Sequence, residues 1–190
     1  ECWVPASLQQ RLFDLLMAAG ESHGIHLFGL RALDSMRFDK GFGAWASEFR
    51  PIYTPGEAGL DSFVALRTVG GVDRDFVGRD AVAAARTTGP ARRLCLFTLD
   101  DGGIPTGRNA GTDVLGDEPI WHGGDVVGWA TSGGYAHWSQ ASCAMGYVPA
   151  DVADPTAPAD SFEIEVLGVR RPATRRDEPL FDPSGSRMRG

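Results

Sequence analysis

The residues of this chain that could do chemistry are few and scattered. Its four histidines stand at 23, 26, 122 and 137. His23 and His26 are three apart, a spacing a metal could bridge, but they fall in a turn between helical segments with no third ligand nearby. His122 and His137 stand alone, and no metal is expected. Cys2, Cys95 and Cys143 lie far apart in apolar stretches (ECWV, LCLF, ASCAM), with neither disulfide nor zinc spacing. They read as reduced core cysteines of a cytoplasmic protein, where a free thiol behaves as a small hydrophobe. Gly70, Gly71 and Gly78 in VGGVDRDFVGR have the wrong order for a dinucleotide loop, and TSGGY sits between strands rather than before a helix. Nothing resembles a nucleophile elbow. Carboxylate pairs discriminate nothing in a chain of net charge −7, and the same charge argues against nucleic acid as a partner. The arginine pairs at 92–93, 170–171 and 175–176 read as solvated strand ends, with an anion site as the alternative.

The elements that must position such residues divide near residue 89. SLQQRLFDLLMAAG (7–20) predicts a helix, capped by Ser7 with Gln10 completing a capping box and stopped by Gly20. Leu8, Leu12, Leu15, Leu16 and Ala19 share one face, which is expected to be core. LFGLRALDSMRFDKGF predicts a second helix with Arg31, Asp34 and Lys40 on its outer side. WASEFRPIYTPGEAGL is too rich in proline and glycine for anything but a loop. DSFVALRT alternates as a strand does, and GRDAVAAARTTG (78–89) predicts a short helix.

From Pro90 onward short strand signals dominate: RRLCLFTL, EPIWHG, DVVGWATSGG, SCAMGYVP and SFEIEVLG, with HGGD as a hairpin turn. Such spacing means a small barrel or sandwich. No apolar run approaches membrane-spanning length, and no membrane partner is expected. The opening ECWVP looks like a buried strand that needs a partner, as though chain preceded it.

The ordered set GLRALDSMRFDKGF, TPGEAGLDSFVALR and DFVGRDAV resembles the second half of the folate-binding module of the glycine-cleavage T-protein family. VVGWATSGGY, SCAMGYVPAD and FEIEVLGVRRPA are similar to that family's C-terminal barrel, and EPLFDPSGSRMRG resembles the tail of its sarcosine and dimethylglycine dehydrogenase branch. The resemblance implies an α+β fold: residues 1–89 as the C-terminal portion of a folate-binding α+β module, and 90–190 as a small antiparallel β-barrel. It implies tetrahydrofolate as cofactor, with FAD only on an upstream domain or partner. It implies a small methylated amine as substrate, and an N-terminal half or partner subunit that completes the site. A flavin domain would oxidise the N-methyl amine to an iminium, and tetrahydrofolate nitrogens would capture the one-carbon unit.

The resemblance also assigns roles. Glu1 falls on the family's pterin-binding glutamate, a job that suits two acceptor oxygens facing paired N–H donors. Leu33 stands where T-proteins carry a folate-contacting arginine, so that contact is absent or passes to Arg31 or Arg37. Six apart on one helix, these two point in different directions; ion pairs with Asp34 or Asp39 are the plainer reading of both. The family's catalytic aspartate comes from the first half of the module, so no catalytic residue is assigned in this chain. The competing expectation is a scaffold or assembly subunit of the same fold without turnover.

Overall fold

A computed structural model describes residues 2–67, 71, 74–100 and 113–189. The chain divides into two compact units, Glu1–Leu33 and Asp34–Gly190.

In the first unit, α1 (Gln9–Gly20) follows a 3-10 turn at Ala6–Leu8. Ser7 lies inside that turn, Leu8 takes the N-cap position, and no side chain caps the helix. The α-helix does end at Gly20, as expected, but Gly20 itself is right-handed (φ −82°). The chain continues through a second 3-10 turn, Glu21–His23, and ends at Gly24, whose φ of 68° is left-handed. Gly20 serves close approach instead, since a Cβ there would collide with the Ile25 side chain. The expected core stripe of α1 is not buried: Leu8, Leu15 and Leu16 are exposed. Cys2, Trp3 and Val4 are exposed too and form no strand, because no described strand offers them backbone partners.

Helix α2 (Leu30–Lys40) starts at the end of the first unit, and Ser35, Phe38 and Asp39 make its buried face. Of the stretch read as a strand, 61–68, residue 68 lies outside the described residues, and the part before it opens with a 3-10 turn at Asp61–Phe63, with Phe63 exposed. The guanidinium of Arg86, on α3 (Arg79–Thr88), takes the carbonyls of Asp61 and Val64. Those acceptors are therefore tied to a side chain rather than to a ladder.

Six antiparallel strands close into a barrel in the order β1-β4-β3-β2-β5-β6, with β6 returning to β1. They are β1 (Arg92–Leu99), β2 (Pro119–His122), β3 (Asp125–Ala136), β4 (Ala141–Pro149), β5 (Phe162–Val166) and β6 (Val169–Arg176). The β2–β3 turn is HGGD, with positive φ at both Gly123 and Gly124, as hairpins of right-handed twist require. Phe97, Ile120, Ala144, Phe162 and Ile164 fill the interior. On the outside of β1 and β4, Leu96, Cys143 and Met145 form a second cluster with Phe38 of α2. Strands β1 and β4 are thus buried on both faces, which is why they read as continuous apolar runs.

β6 hides in its sequence. VRRPATRR looks polar, yet Arg171, Ala173 and Arg175 alternate inward. Arg171 and Arg175 are buried rather than solvated strand ends. Arg175 donates to the carbonyls of Val152 and Ala157 and pairs with Asp177, pinning the β4–β5 loop across the barrel end. A short helix, α4 (Ser186–Arg189), closes the chain.

Candidate functional site

In the second unit the C-terminal part of α2 is stitched to the β3–β4 hairpin. Ser35 Oγ donates to the Tyr135 carbonyl and accepts the His137 amide, both at 2.9 Å. The Asp39 carboxylate accepts the amides of Trp138 and Ser139, so it caps the hairpin turn from outside. Between these bonds the Phe38 ring packs against Gly134, where a Cβ would crowd it at 3.0 Å. Lys40 then reaches the tail, donating to the carbonyl of Asp182 at 2.7 Å and to its carboxylate at 3.3 Å.

The loop after α2 returns Glu48 beneath the helix, where its side chain is fully enclosed (0% exposed). Oε2 accepts the Ala44 amide at 2.7 Å and Arg37 Nη1 at 3.3 Å. Oε1 accepts the hydroxyls of Thr131 and Ser132, each at 2.6 Å. Two consecutive strand residues would ordinarily point to opposite faces. A register shift between Ala130 and Ser132 is a bulge that turns both hydroxyls to the same side. Glu48 is thus a buried charge with every acceptor position used.

An aromatic layer continues from there. Tyr147 Oη donates to the Glu48 carbonyl at 2.8 Å, and its ring stacks on Tyr53 with centroids 3.6 Å apart. Trp129 Nε1 donates to Tyr53 Oη at 3.0 Å. Burial, then the nearby Tyr53, Glu48 and Glu57, push the Tyr147 phenol well above its usual range. Thr54 and Glu57 form a reciprocal capping pair in TPGE, and Glu57 also holds Arg92 at 3.1 Å.

Comparison with known proteins adds lineage to this geometry. The model of the GCVT N-terminal domain matches residues 1–68, and that of the glycine cleavage T-protein C-terminal barrel domain matches residues 92–182. The chain belongs to the glycine cleavage T-protein family.

Within that family, it is 37% identical to mouse (Mus musculus) dimethylglycine dehydrogenase, mitochondrial, over 93% of this chain and 19% of the relative. Human (Homo sapiens) sarcosine dehydrogenase, mitochondrial, is 30% identical over 100% of this chain and 20% of its own length. The chain therefore spans about a fifth of the length of these curated relatives. The glycine cleavage system aminomethyltransferase T from Bartonella henselae superposes with a TM-score of 0.73 at 21% identity, over 95% of this chain and 45% of that one. That likeness shows the shared fold: a helical segment before a six-stranded antiparallel barrel.

The residues this T-protein family member was expected to use fall in different settings. Glu1 lies outside the described residues. Arg31, in the first turn of α2, is exposed and makes no ion pair or hydrogen bond among the described residues. Leu33, also exposed, presents an apolar side chain that offers no hydrogen bond there. Arg37 is 13% exposed and built into the α2–barrel joint: Nε donates to Asp34 at 2.9 Å, and Nη1 reaches Glu48 and the Phe42 carbonyl.

Cys95 and Cys143 are buried, and burial is the main cause raising their thiols to about 11 and about 12. Cys2 is exposed and is not a core cysteine. Sequence reasoning passed over Glu48, since a lone acid in a loop carries no motif. Its neighbours Thr131 and Ser132 become partners only through the bulge.

Proposed function

We propose that the chain is the C-terminal part of a tetrahydrofolate-dependent enzyme that handles one-carbon units from N-methyl amines such as dimethylglycine or sarcosine. The observation that carries this reading is the family membership, with identity to dimethylglycine dehydrogenase running through both the helical segment and the barrel. In it, residues 1–89 complete a folate-binding module and residues 90–190 form its companion barrel. Tetrahydrofolate, when bound, supplies the nitrogens that take up the one-carbon unit. A flavin would belong to a domain or partner outside residues 1–190.

The chain's own residues are compatible with such a ligand. Arg31 is an exposed cation with no ion pair among the described residues, suited to an anionic group such as the glutamyl carboxylate of folate. Arg37 already has two carboxylates beside it, Asp34 and Glu48, so its remaining N–H groups suit a neutral carbonyl better than an anion. Glu1 would hold the amino-pyrimidine edge of the pterin. A closed cavity would keep the one-carbon unit from escaping to water as formaldehyde. In the full-length protein, oxidation of dimethylglycine or sarcosine should therefore release less free formaldehyde when tetrahydrofolate is present. Equal formaldehyde with and without tetrahydrofolate would overturn the reading.

The second reading, a scaffold that kept the fold without turnover, draws on Leu33, which removes a hydrogen-bonding side chain from α2. It is favoured if the full-length protein oxidises neither amine.

A further inference from the structure

A buried ion pair is a poor device for stability alone, because an apolar side chain of the same volume would join helix to barrel without taking a carboxylate out of water. Glu48 is nevertheless charged, fully enclosed, and held by four donors: the Ala44 amide, Arg37 Nη1, Thr131 Oγ1 and Ser132 Oγ. What such an arrangement supplies is a direction. The bulge hydroxyls fix Oε1, the Ala44 amide fixes Oε2, and Oε2 together with the Phe42 carbonyl fixes Arg37 Nη1. Asp34 takes Nε from the other side at 2.9 Å. The planar guanidinium then has one nitrogen left, Nη2, with no hydrogen bond among the described residues.

We propose that Glu48 is a positioning residue: by fixing the plane of Arg37 it aims the Nη2 N–H groups at a neutral carbonyl oxygen of the bound ligand. This rests on the folate-binding reading above, since folate carries such carbonyls on its pterin ring and its benzoyl amide. Glu48 touches no ligand itself. The charges of Asp34 and Glu48 around Arg37 set the specificity, because a third carboxylate would meet a site whose positive charge is already offset.

The test is a calorimetric titration of the full-length protein with 5-formyltetrahydrofolate, a stable reduced folate. Glu48→Met keeps the volume and deletes the acceptor; it is expected to weaken binding about tenfold, the scale of one hydrogen bond to a charged donor. Glu48→Gln can return an amide oxygen to the Oε2 position and should restore affinity to within roughly threefold of wild type. Ile164→Ala, in the barrel interior and away from Glu48, lowers stability and should leave affinity unchanged. Arg37→Met deletes the donor itself and should match Glu48→Met.

Wild-type affinity in Glu48→Met overturns the proposal, as does a loss shared equally by Ile164→Ala, which would make Glu48 merely structural. Should Glu48→Met not fold, unchanged affinity in Arg37→Met overturns it alone. Absence of binding by the wild type would overturn the folate reading and this inference together, whereas wild-type binding with an indifferent Glu48→Met overturns only the inference.

Discussion

The Tyr147 hydroxyl donates to the main-chain carbonyl of Glu48 at 2.8 Å, and both residues are sealed from solvent. One phenol on β4 therefore fixes the backbone of the loop whose side chain organises Arg37. Tyr147→Phe would keep the stack on Tyr53 and leave the Glu48 carbonyl without its donor. The expected loss is about 1–3 kcal/mol of stability, the usual result of stranding a buried acceptor. Chemical denaturation checks it, and a variant as stable as wild type would show that the tie is dispensable.

The tail is held by Lys40 and Asp182, and this contact should be acid-sensitive. Burial works to raise the Asp182 carboxyl, but hydrogen bonds from the Arg187 amide, Lys40 and Ser186, with the charge of Lys40, outweigh it and leave the group below its ordinary range. A lowered carboxyl contributes stability above the unfolded value and loses it as pH falls through the folded one. Unfolding followed between about pH 5 and pH 2 should therefore be less pH-dependent in Asp182→Asn than in wild type. Parallel pH profiles would remove Asp182 from the acid response.

The alkaline limb belongs to the two buried thiols. Their pKa values are raised to about 11 and about 12 from 9.0, so the stability they contribute is intact below pH 9 and is lost as pH rises through those values. Cys143→Ala should be less stable than wild type at about pH 8, because it opens a small cavity beside Phe38 and Met145. Its stability should fall less steeply between about pH 9 and pH 11. A slope identical to wild type would contradict the assignment.

The first unit exposes Trp3, Leu15, Leu27 and Leu30. Apolar surface of that extent favours association. The isolated chain of residues 1–190 should sediment as concentration-dependent oligomers, and Leu15→Lys with Leu30→Lys should shift it toward monomer. A wild-type chain that stays monomeric at high concentration would be the contrary result.

What could be read from the sequence followed from local rules. HGGD announced its hairpin because glycine tolerates positive φ, and five of the barrel strands stood out as apolar runs between turns. β6 did not, because Arg171 and Arg175 look like surface residues until the loop carbonyls that receive Arg175 are in place. The capping role given to Ser7 failed because the chain enters α1 through a 3-10 turn instead. The 61–68 alternation misled for a similar reason: Arg86, over twenty residues on, claims the carbonyls a strand would need. The site divides the same way. Arg31 and Arg37 were legible as cations on a helix, while Glu48 was not, since its partners Thr131 and Ser132 lie more than eighty residues away and converge only through a bulge.

The central claim, that this T-protein family chain helps to hold a reduced folate, is tested most directly by titrating the full-length protein with 5-formyltetrahydrofolate, wild type beside Glu1→Ala. Saturable one-to-one binding by the wild type, weakened in Glu1→Ala with little change in melting temperature, is the result this account predicts. No saturable binding by a folded wild-type protein would contradict it.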